Sequence, residues 1–257
     1  MNVLVFDIET VPDVASGRRV HGLDGLSDDD VAKVMFHKRR EETGSDFLRL
    51  HLQRIVAISA VLRTRDLVRV WSLGDPESDE AELLQRFFDG IDKFSPTLVS
   101  WNGGGFDLPV IHYRALLHGV AATRYWDTGE DDRDFKWNNY LSRYHARHTD
   151  LMDVLAGYQA RANAPLDEIA TMLGFPGKMG MSGALVWDEY QAGNIEGIRN
   201  YCETDVLNTY LVYLRFELIR GHLSHKEYEQ ELGRLRDTLR GEDKPHFSEF
   251  LAAWGDD

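Results

Sequence analysis

The chain is poor in cysteine and has no long apolar run, and each shortage excludes a class of protein. One cysteine, Cys202, among 257 residues rules out an intramolecular disulfide and a zinc cluster built from cysteines. No apolar run approaches the roughly 18 to 20 residues of a membrane-spanning helix, and the mean hydropathy is negative. Because an apolar segment typical of a core strand stands at the N-terminus in place of a signal peptide, we expect a cytoplasmic protein that does not enter a membrane.

Positive charge is also scarce. The chain carries 29 lysines and arginines against 43 aspartates and glutamates, a formal net charge of −14. Nucleic acids bind most readily to clustered basic side chains, so this balance disfavours an enzyme that tracks along duplexes. It leaves room for a local cleft that acts on chain ends, because bound cations neutralise nearby acids and the other acids can lie on another face.

The pattern of apolar residues predicts one α/β domain without internal repeats or low-complexity linkers. An apolar strand over residues 3–6 ends at Asp7, and further strands are predicted over residues 54–62, 67–73 and 97–101. Ser78 is expected to cap an amphipathic helix that leads into the last of these strands. Other helices are predicted over residues 28–42, 165–173, 182–191, 195–219, 224–240 and 245–254.

Acidic side chains follow the first and the last of these predicted strands. Alternate residues of a strand project to the same side, so Asp7 and Glu9 can reach one site while Ile8 points into the core. Asp107 follows Asn102 and three glycines, and it opens a helix. Solvated loop acids are the commoner explanation of an isolated acid pair. Here the apolar neighbours favour buried carboxylates, which need a metal ion or hydrogen-bond partners.

A third acidic position lies on the longest predicted helix. Tyr201 and Asp205 are four residues apart and therefore share one face of that helix, whereas Glu203 points elsewhere. Core packing would explain a lone tyrosine, but its coincidence with the other acids favours a common site. Carboxylate oxygens suit hard cations such as Mg²⁺, and two such ions roughly 4 Å apart can stabilise displacement at a phosphodiester. The glycine run lacks the closing Lys-Ser/Thr of a phosphate loop, which disfavours a nucleoside triphosphatase.

Three motifs together carry a resemblance to a known family: Asp7-x-Glu9, Asn102-x-x-x-Phe106-Asp107 and Tyr201-x-x-x-Asp205. In order and spacing they resemble the exonuclease motifs of the DEDD superfamily, tyrosine subclass. The histidine subclass is excluded, because Asn200 stands where that subclass has its histidine. From about residue 1 to about residue 220 the chain is similar to predicted bacterial 3′-to-5′ exonucleases related to the proofreading domain of family B DNA polymerases, including residues 51–56, 148–153, 176–178 and 201–205.

The resemblance implies a ribonuclease H-like α/β fold, with a mixed five-stranded sheet flanked by α-helices, and two divalent ions, Mg²⁺ or Mn²⁺. It implies that the metal ligands are Asp7, Glu9, Asp107 and Asp205, with Asp7 as the bridge between the ions. Tyr201 would orient the attacking water. The implied contacts to the terminal nucleotide are Thr10, Asn102, Phe106 and Leu108. The implied substrate is the 3′ end of a single nucleic-acid strand, with DNA favoured and RNA possible, and the implied product is a 5′-mononucleotide.

Several alternatives stay open. The chain could be a ribonuclease H-like endonuclease, a 3′-to-5′ exoribonuclease or a noncatalytic nucleic-acid-binding module. We expect an exonuclease domain over residues 1–222, free-standing because no polymerase segment follows. Residues 223–257 would be a helical extension that packs on this domain or on a partner subunit. The aromatic and basic residues between 125 and 147 could stack bases, but packing or a lid is favoured because acids precede them. Lys178 is expected to be a solvated surface lysine, with a phosphate contact as the alternative.

Overall fold

Five segments pair into one mixed sheet. In the computed structural model, which describes residues 2–255, the strands are β1 (Val3–Pro12), β2 (Gln53–Arg63), β3 (Val68–Ser72), β4 (Thr97–Ser100) and β5 (His148–Asp150). Their order across the sheet is β3-β2-β1-β4-β5. Antiparallel pairing joins β1 to β2 and β2 to β3, whereas β4 runs parallel to both β1 and β5. The predicted α/β class and mixed five-stranded sheet are confirmed.

Helices cover both faces of this sheet. In the described residues they are α1 (Val14–His21), α2 (Asp28–Thr43), α3 (Glu80–Phe94), α4 (Asp107–His118), α5 (Thr123–Trp126), α6 (Leu151–Leu155), α7 (Leu166–Met172), α8 (Val186–Gln191), α9 (Ile195–Ile219), α10 (His225–Arg240) and α11 (Pro245–Trp254). The predicted bounds of α9 and α11 agree with the structure. The predicted helix over residues 182–191 is α-helical only in its second half, because Gly183–Leu185 form a 3-10 turn. None of these helices is long and apolar enough to cross a bilayer.

The cap predicted for α3 was wrong by one residue. Asp79 is the N-cap, and its carboxylate accepts a hydrogen bond from the backbone N–H of Glu82 at 2.8 Å. Ser78 belongs to the preceding turn, where its hydroxyl accepts a hydrogen bond from Asp75 N–H at 3.0 Å. Both residues are good caps, and the turn after β3 engages the serine first.

The central strand β1 is buried on both faces, and this decides where its acids point. Leu4, Phe6 and Ile8 belong to the core layer that also contains α3 and α4. Val3 and Val5 belong to the opposite layer, with residues of α9, α10 and α11. Because side chains alternate along a strand, Asp7 and Glu9 continue the α9 side. The predicted inward direction of Ile8 is therefore confirmed.

The two C-terminal helices complete the layer on the α9 side of the sheet. Tyr228, Leu232 and Leu235 of α10 and Phe247 and Phe250 of α11 are buried in the same core as α9. The packing of α10 and α11 on the rest of the chain thus stabilises the long helix that carries Tyr201 and Asp205. The domain boundary expected at residue 222 stays a prediction.

Candidate metal centre

Asp7 and Glu9 project from β1 toward α9 at the point where the pairing of β1 with β2 becomes irregular. Glu9 pairs with Ala57 and Thr10 pairs with Ile55, so β2 contains one extra residue there. Such a bulge increases the local twist and redirects the side chains beside it. The thiol of Cys202 on α9 donates to the backbone carbonyl of Asp7 at 3.4 Å and lies 3.5 Å from its carboxylate.

Asp107 reaches the same place from the start of α4. Its Oδ1 accepts a hydrogen bond from the backbone N–H of Ile8 at 3.2 Å, although the two residues are 99 positions apart in sequence. This bond fixes Asp107 between Asp7 and Glu9 along β1. The N-terminus of α4 also favours a negative charge at this position.

The glycine-rich loop before α4 is held by Asp150, at the end of β5. The two carboxylate oxygens of Asp150 accept hydrogen bonds from the backbone N–H groups of Asn102 at 2.9 Å and Gly104 at 2.8 Å. A Cβ atom at Gly103 would lie closer than 3.0 Å to the side chain of Ser100, so glycine is required for this close approach. Asn102 itself has a φ of 64°. The loop is therefore shaped to deliver Asp107.

Tyr201 and Asp205 complete the group from one face of α9. The carboxylates of Asp205 and Glu9 both lie near enough to Tyr201 to contribute to raising the pKa of its phenol, mainly through burial and then through their negative charges. Glu203 projects away from them, as predicted. It accepts hydrogen bonds from Ser72 N–H at 2.8 Å, Lys244 Nζ at 2.9 Å and His246 at 2.8 Å.

The four carboxylates repel one another in a buried setting. Burial raises the pKa of Asp7 and Glu9 well above their ordinary values, and both are raised further by the charges of Asp107 and Asp205. Burial also raises the pKa of Asp107 to about 7 and that of Asp205 to about 6. Without an added cation, the ionised forms of these acids are thus disfavoured.

This donor set fits a hard divalent cation. Across residues 2–255 none of the four carboxylates forms a salt bridge with a basic side chain, so their charge is left for an ion to neutralise. Donor atoms of Asp7, Glu9 and Cys202 lie within 4.8 Å of one another. Burial raises the pKa of the Cys202 thiol, so it stays protonated and positions Asp7, while Mg²⁺ or Mn²⁺ would take the carboxylate oxygens.

Two cavities flank the acids. The larger, about 670 Å³, is bounded by Glu9, Thr10 and Phe106 together with Phe47 and Trp187 from distant parts of the chain. The smaller, about 170 Å³, is bounded by Tyr201, Asp205 and Lys178, among others. The acids therefore lie in a cleft with space on both sides.

The residues expected to contact a terminal nucleotide divide into two groups. Thr10 and Phe106 line the larger cavity; Phe106 packs against Phe47 with ring centroids 5.5 Å apart, and the Thr10 hydroxyl donates to Gln53 at 3.0 Å. Asn102 shapes the glycine loop. Leu108 is only 5% exposed and packs in the core with α4, so its side chain offers little surface to a nucleotide.

Some residues of the cleft are missing from the motifs. Phe47 and Trp187 carry no local pattern that announces a cavity, since they come from the connection before β2 and from α8. Lys178 is exposed, as expected of a surface lysine, yet its charge contributes to lowering the pKa of both Glu9 and Asp205. The run Pro176-Gly177-Lys178 was the available signal, and Asn208 of α9 holds it through Gly177 at 3.1 Å.

Comparison with known proteins gives one family and short local matches. Residues 45–254 match the model of a family described as a predicted 3′-5′ exonuclease related to the exonuclease domain of PolB. Over 45 residues, 17% of this chain, it is 51% identical to the catalytic polypeptide of DNA polymerase epsilon from Saccharomyces cerevisiae and covers 2% of that protein. The corresponding polypeptide of Kluyveromyces lactis is 49% identical over the same length and is also covered over 2%. The family match contains Asp107, Tyr201 and Asp205, whereas Asp7 and Glu9 lie before it.

Proposed function

Because the chain belongs to the family of predicted 3′-5′ exonucleases related to the exonuclease domain of PolB, we propose that it removes nucleotides from the 3′ end of a single nucleic-acid strand. The reaction is hydrolysis of the terminal phosphodiester. Water attacks phosphorus, the bond from phosphorus to the bridging 3′ oxygen breaks, and a 5′-mononucleotide and a new 3′-hydroxyl are released. DNA is the favoured substrate, RNA is a second candidate, and the expected location is the cytoplasm.

The observation that carries this proposal is the convergence of four buried carboxylates from three separate parts of the chain. Asp7 and Glu9 come from β1, Asp107 from α4 and Asp205 from α9, and their charges raise one another's pKa. A fold gains no stability from unpaired buried acids. Their retention in one cleft is therefore best explained by a pair of divalent ions, which belongs to phosphoryl chemistry.

Each residue of the centre then has a separate role. Two Mg²⁺ or Mn²⁺ ions, when bound, supply neutralisation of the phosphate charge and acidification of water. Asp7, Glu9, Asp107 and Asp205 would hold them. Burial and the neighbouring acids raise the pKa of Tyr201, so its phenol keeps its proton at neutral pH and orients the attacking water as a hydrogen-bonding group. It does not act as the base.

The surroundings of the centre suit a strand end better than a duplex. The cavity beside Glu9, about 670 Å³ and bounded by aromatic side chains, falls in the range of pockets that hold small organic ligands. A terminal nucleoside can stack there on Phe106 or Phe47, with Thr10 beside it. The net charge of −14 gives little general attraction for a long duplex.

A matched set of labelled substrates tests the activity. Single-stranded DNA, single-stranded RNA and a duplex with a mismatched 3′ end, each labelled at the 5′ end, are incubated with Mg²⁺ or Mn²⁺. We expect a ladder that shortens one nucleotide at a time from the 3′ end, fastest on single-stranded DNA. Internal cuts in a circular single strand would support the endonuclease instead.

The Asp7→Ala variant distinguishes a catalytic domain from a noncatalytic binding module. It should abolish hydrolysis while the far-ultraviolet circular dichroism and the cooperative thermal transition are retained. Asp66→Ala, which removes an exposed acid from the turn between β2 and β3, is the matched control and should hydrolyse like the parent. Strand binding without hydrolysis by the parent protein would favour the binding module.

A further inference from the structure

Three exposed side chains form an aromatic and cationic stack beyond the end of β5. The rings of Tyr144 and Tyr158 have centroids 5.9 Å apart, and the guanidinium of Arg143 lies 5.6 Å from the first ring and 4.5 Å from the second. Tyr144 is 78% exposed, Tyr158 37% and the Arg143 side chain 53%. By contrast Tyr125, Phe135 and Tyr140 of the same region are buried. The stack is thus the solvent-facing part of an otherwise packed region.

The loop that presents Arg143 and Tyr144 is rigidly built. The side chain of Asn139 accepts hydrogen bonds from the backbone N–H groups of Leu141 and Ser142, both at 3.1 Å. At the other end of the loop Arg147 donates to the carbonyl of Asn138 at 3.1 Å and lies 4.3 Å over the ring of Phe135. A surface that is already ordered loses little conformational entropy when it binds a ligand.

Tyr158 adds a second, independent observation. Its φ of 59° lies in the left-handed region, directly after Gly157 at 58°, and a bulky side chain rarely adopts this conformation. Its backbone N–H is held by the carbonyl of Asp153 at 2.8 Å, and its hydroxyl donates to the carbonyl of Arg143 at 3.3 Å. Strained residues concentrate at functional sites. Here the strain places the second ring beside Arg143.

Charge on this part of the chain contrasts with that of the whole. Residues 135–161 contain four basic side chains, Lys136, Arg143, Arg147 and Arg161, against two acids, Asp150 and Asp153, whereas the whole chain carries −14. Both oxygens of Asp150 are already occupied by the glycine loop. A locally positive surface that carries exposed tyrosines matches a polyanion with flat bases.

The stack is also tied to the metal centre. Asp150 holds the loop that delivers Asp107, and the same carboxylate caps α6 through Asp153 N–H at 3.4 Å. The helix α6 is only five residues long, so Tyr158 follows the catalytic loop after roughly 10 Å of chain at a helical rise. The stack therefore lies within a few nucleotides' reach of the acids.

We propose that Arg143, Tyr144 and Tyr158 form a binding site for the single strand upstream of the scissile bond, with a base stacked on tyrosine and a phosphate paired with Arg143. The proposal rests on the proposed exonuclease function. The side chains here act on the strand and take no part in the bond-breaking step. Strand length, not the identity of the terminal nucleotide, should therefore reveal them.

The Tyr144→Ala variant tests this site with two substrates. One is a single-stranded DNA of about ten nucleotides, and the other is the p-nitrophenyl ester of thymidine 5′-monophosphate, which has no upstream strand. We expect kcat/KM for the strand to fall at least about fivefold, with ester hydrolysis unchanged and with strand hydrolysis largely kept in Tyr144→Phe. Tyr113→Ala, which removes an exposed tyrosine of α4, is the control and should match the parent on both substrates.

Binding is measured separately, by fluorescence anisotropy of the labelled strand in Ca²⁺. Affinity at the parent level in both Tyr144→Ala and Arg143→Ala would overturn the inference, as would equal losses on strand and ester. If the parent hydrolyses neither substrate but binds the strand in a Tyr144-dependent way, the proposed activity is refuted and the binding surface is supported.

Discussion

Replacing Asp107 with asparagine should inactivate the protein and yet stabilise it when no metal is present. The asparagine side chain keeps an acceptor for Ile8 N–H and removes one of four mutually repelling charges. The pKa of Asp107 is raised from 3.8 to about 7, first by burial, which corresponds to roughly 4 kcal/mol against the ionised form. At pH 8 in chelator, the variant should therefore unfold with up to about 4 kcal/mol more free energy than the parent.

The sign and the pH window follow from the raised pKa. The folded parent holds a proton on Asp107 that the unfolded chain has lost, so this contribution to stability is complete below about pH 4 and disappears as pH rises through about 7. The advantage of Asp107→Asn should thus shrink to less than about 2 kcal/mol at pH 5. Added Mg²⁺ should stabilise the parent and have little effect on the variant, which has lost a ligand.

Urea unfolding at pH 5 and pH 8, each with chelator or with Mg²⁺, measures all four conditions. Glu229→Gln removes an exposed charge from α10 and is the control, expected to lie within about 0.5 kcal/mol of the parent. An Asp107→Asn protein that is less stable than the parent at pH 8 in chelator would refute the electrostatic reasoning, because the carboxylate would then be stabilising without an ion.

Three further changes test other parts of the site. Tyr201→Phe should lower kcat about 10²-fold with Mn²⁺ binding retained in a calorimetric titration; parent-level turnover would show that the hydroxyl is dispensable. Glu203→Ala should cost about 3 kcal/mol in urea unfolding, because buried partners of the carboxylate are left unpaired, and a loss below about 1 kcal/mol would contradict that. Gly103→Ala should lower both stability and activity through its contact with Ser100, whereas Gly90→Ala, with open space around its Cβ, should be neutral or up to about 1 kcal/mol stabilising; equal effects would contradict the steric explanation.

Local patterns predicted much of the fold. The apolar run before Asp7, the strand at β4 and the bounds of α9 follow from periodicity and turn residues, since each is a long or uninterrupted signal. The three-residue strand β5 gave no such signal: it is ordered by pairing with β4 and by the bonds of Asp150 to the glycine loop. The cap of α3 was misplaced because two neighbouring residues could both serve, and only the tertiary turn selects Asp79.

The candidate site was readable to the extent that its residues share motifs. Spacing along β1 and α9 indicated which of Asp7, Glu9, Tyr201 and Asp205 share a face, and the structure brings them together. The packing that sets their environment was not readable. Phe47 meets Phe106 across the cavity, and Lys244 and His246 meet Glu203, through contacts between parts of the chain that no local pattern connects.

Anomalous diffraction from crystals soaked in Mn²⁺ tests the central claim most directly. We predict two manganese peaks roughly 4 Å apart, coordinated by the carboxylates of Asp7, Glu9, Asp107 and Asp205. Peaks absent from this cleft, or a single ion held by Asp7, Glu9 and the sulfur of Cys202, would contradict it.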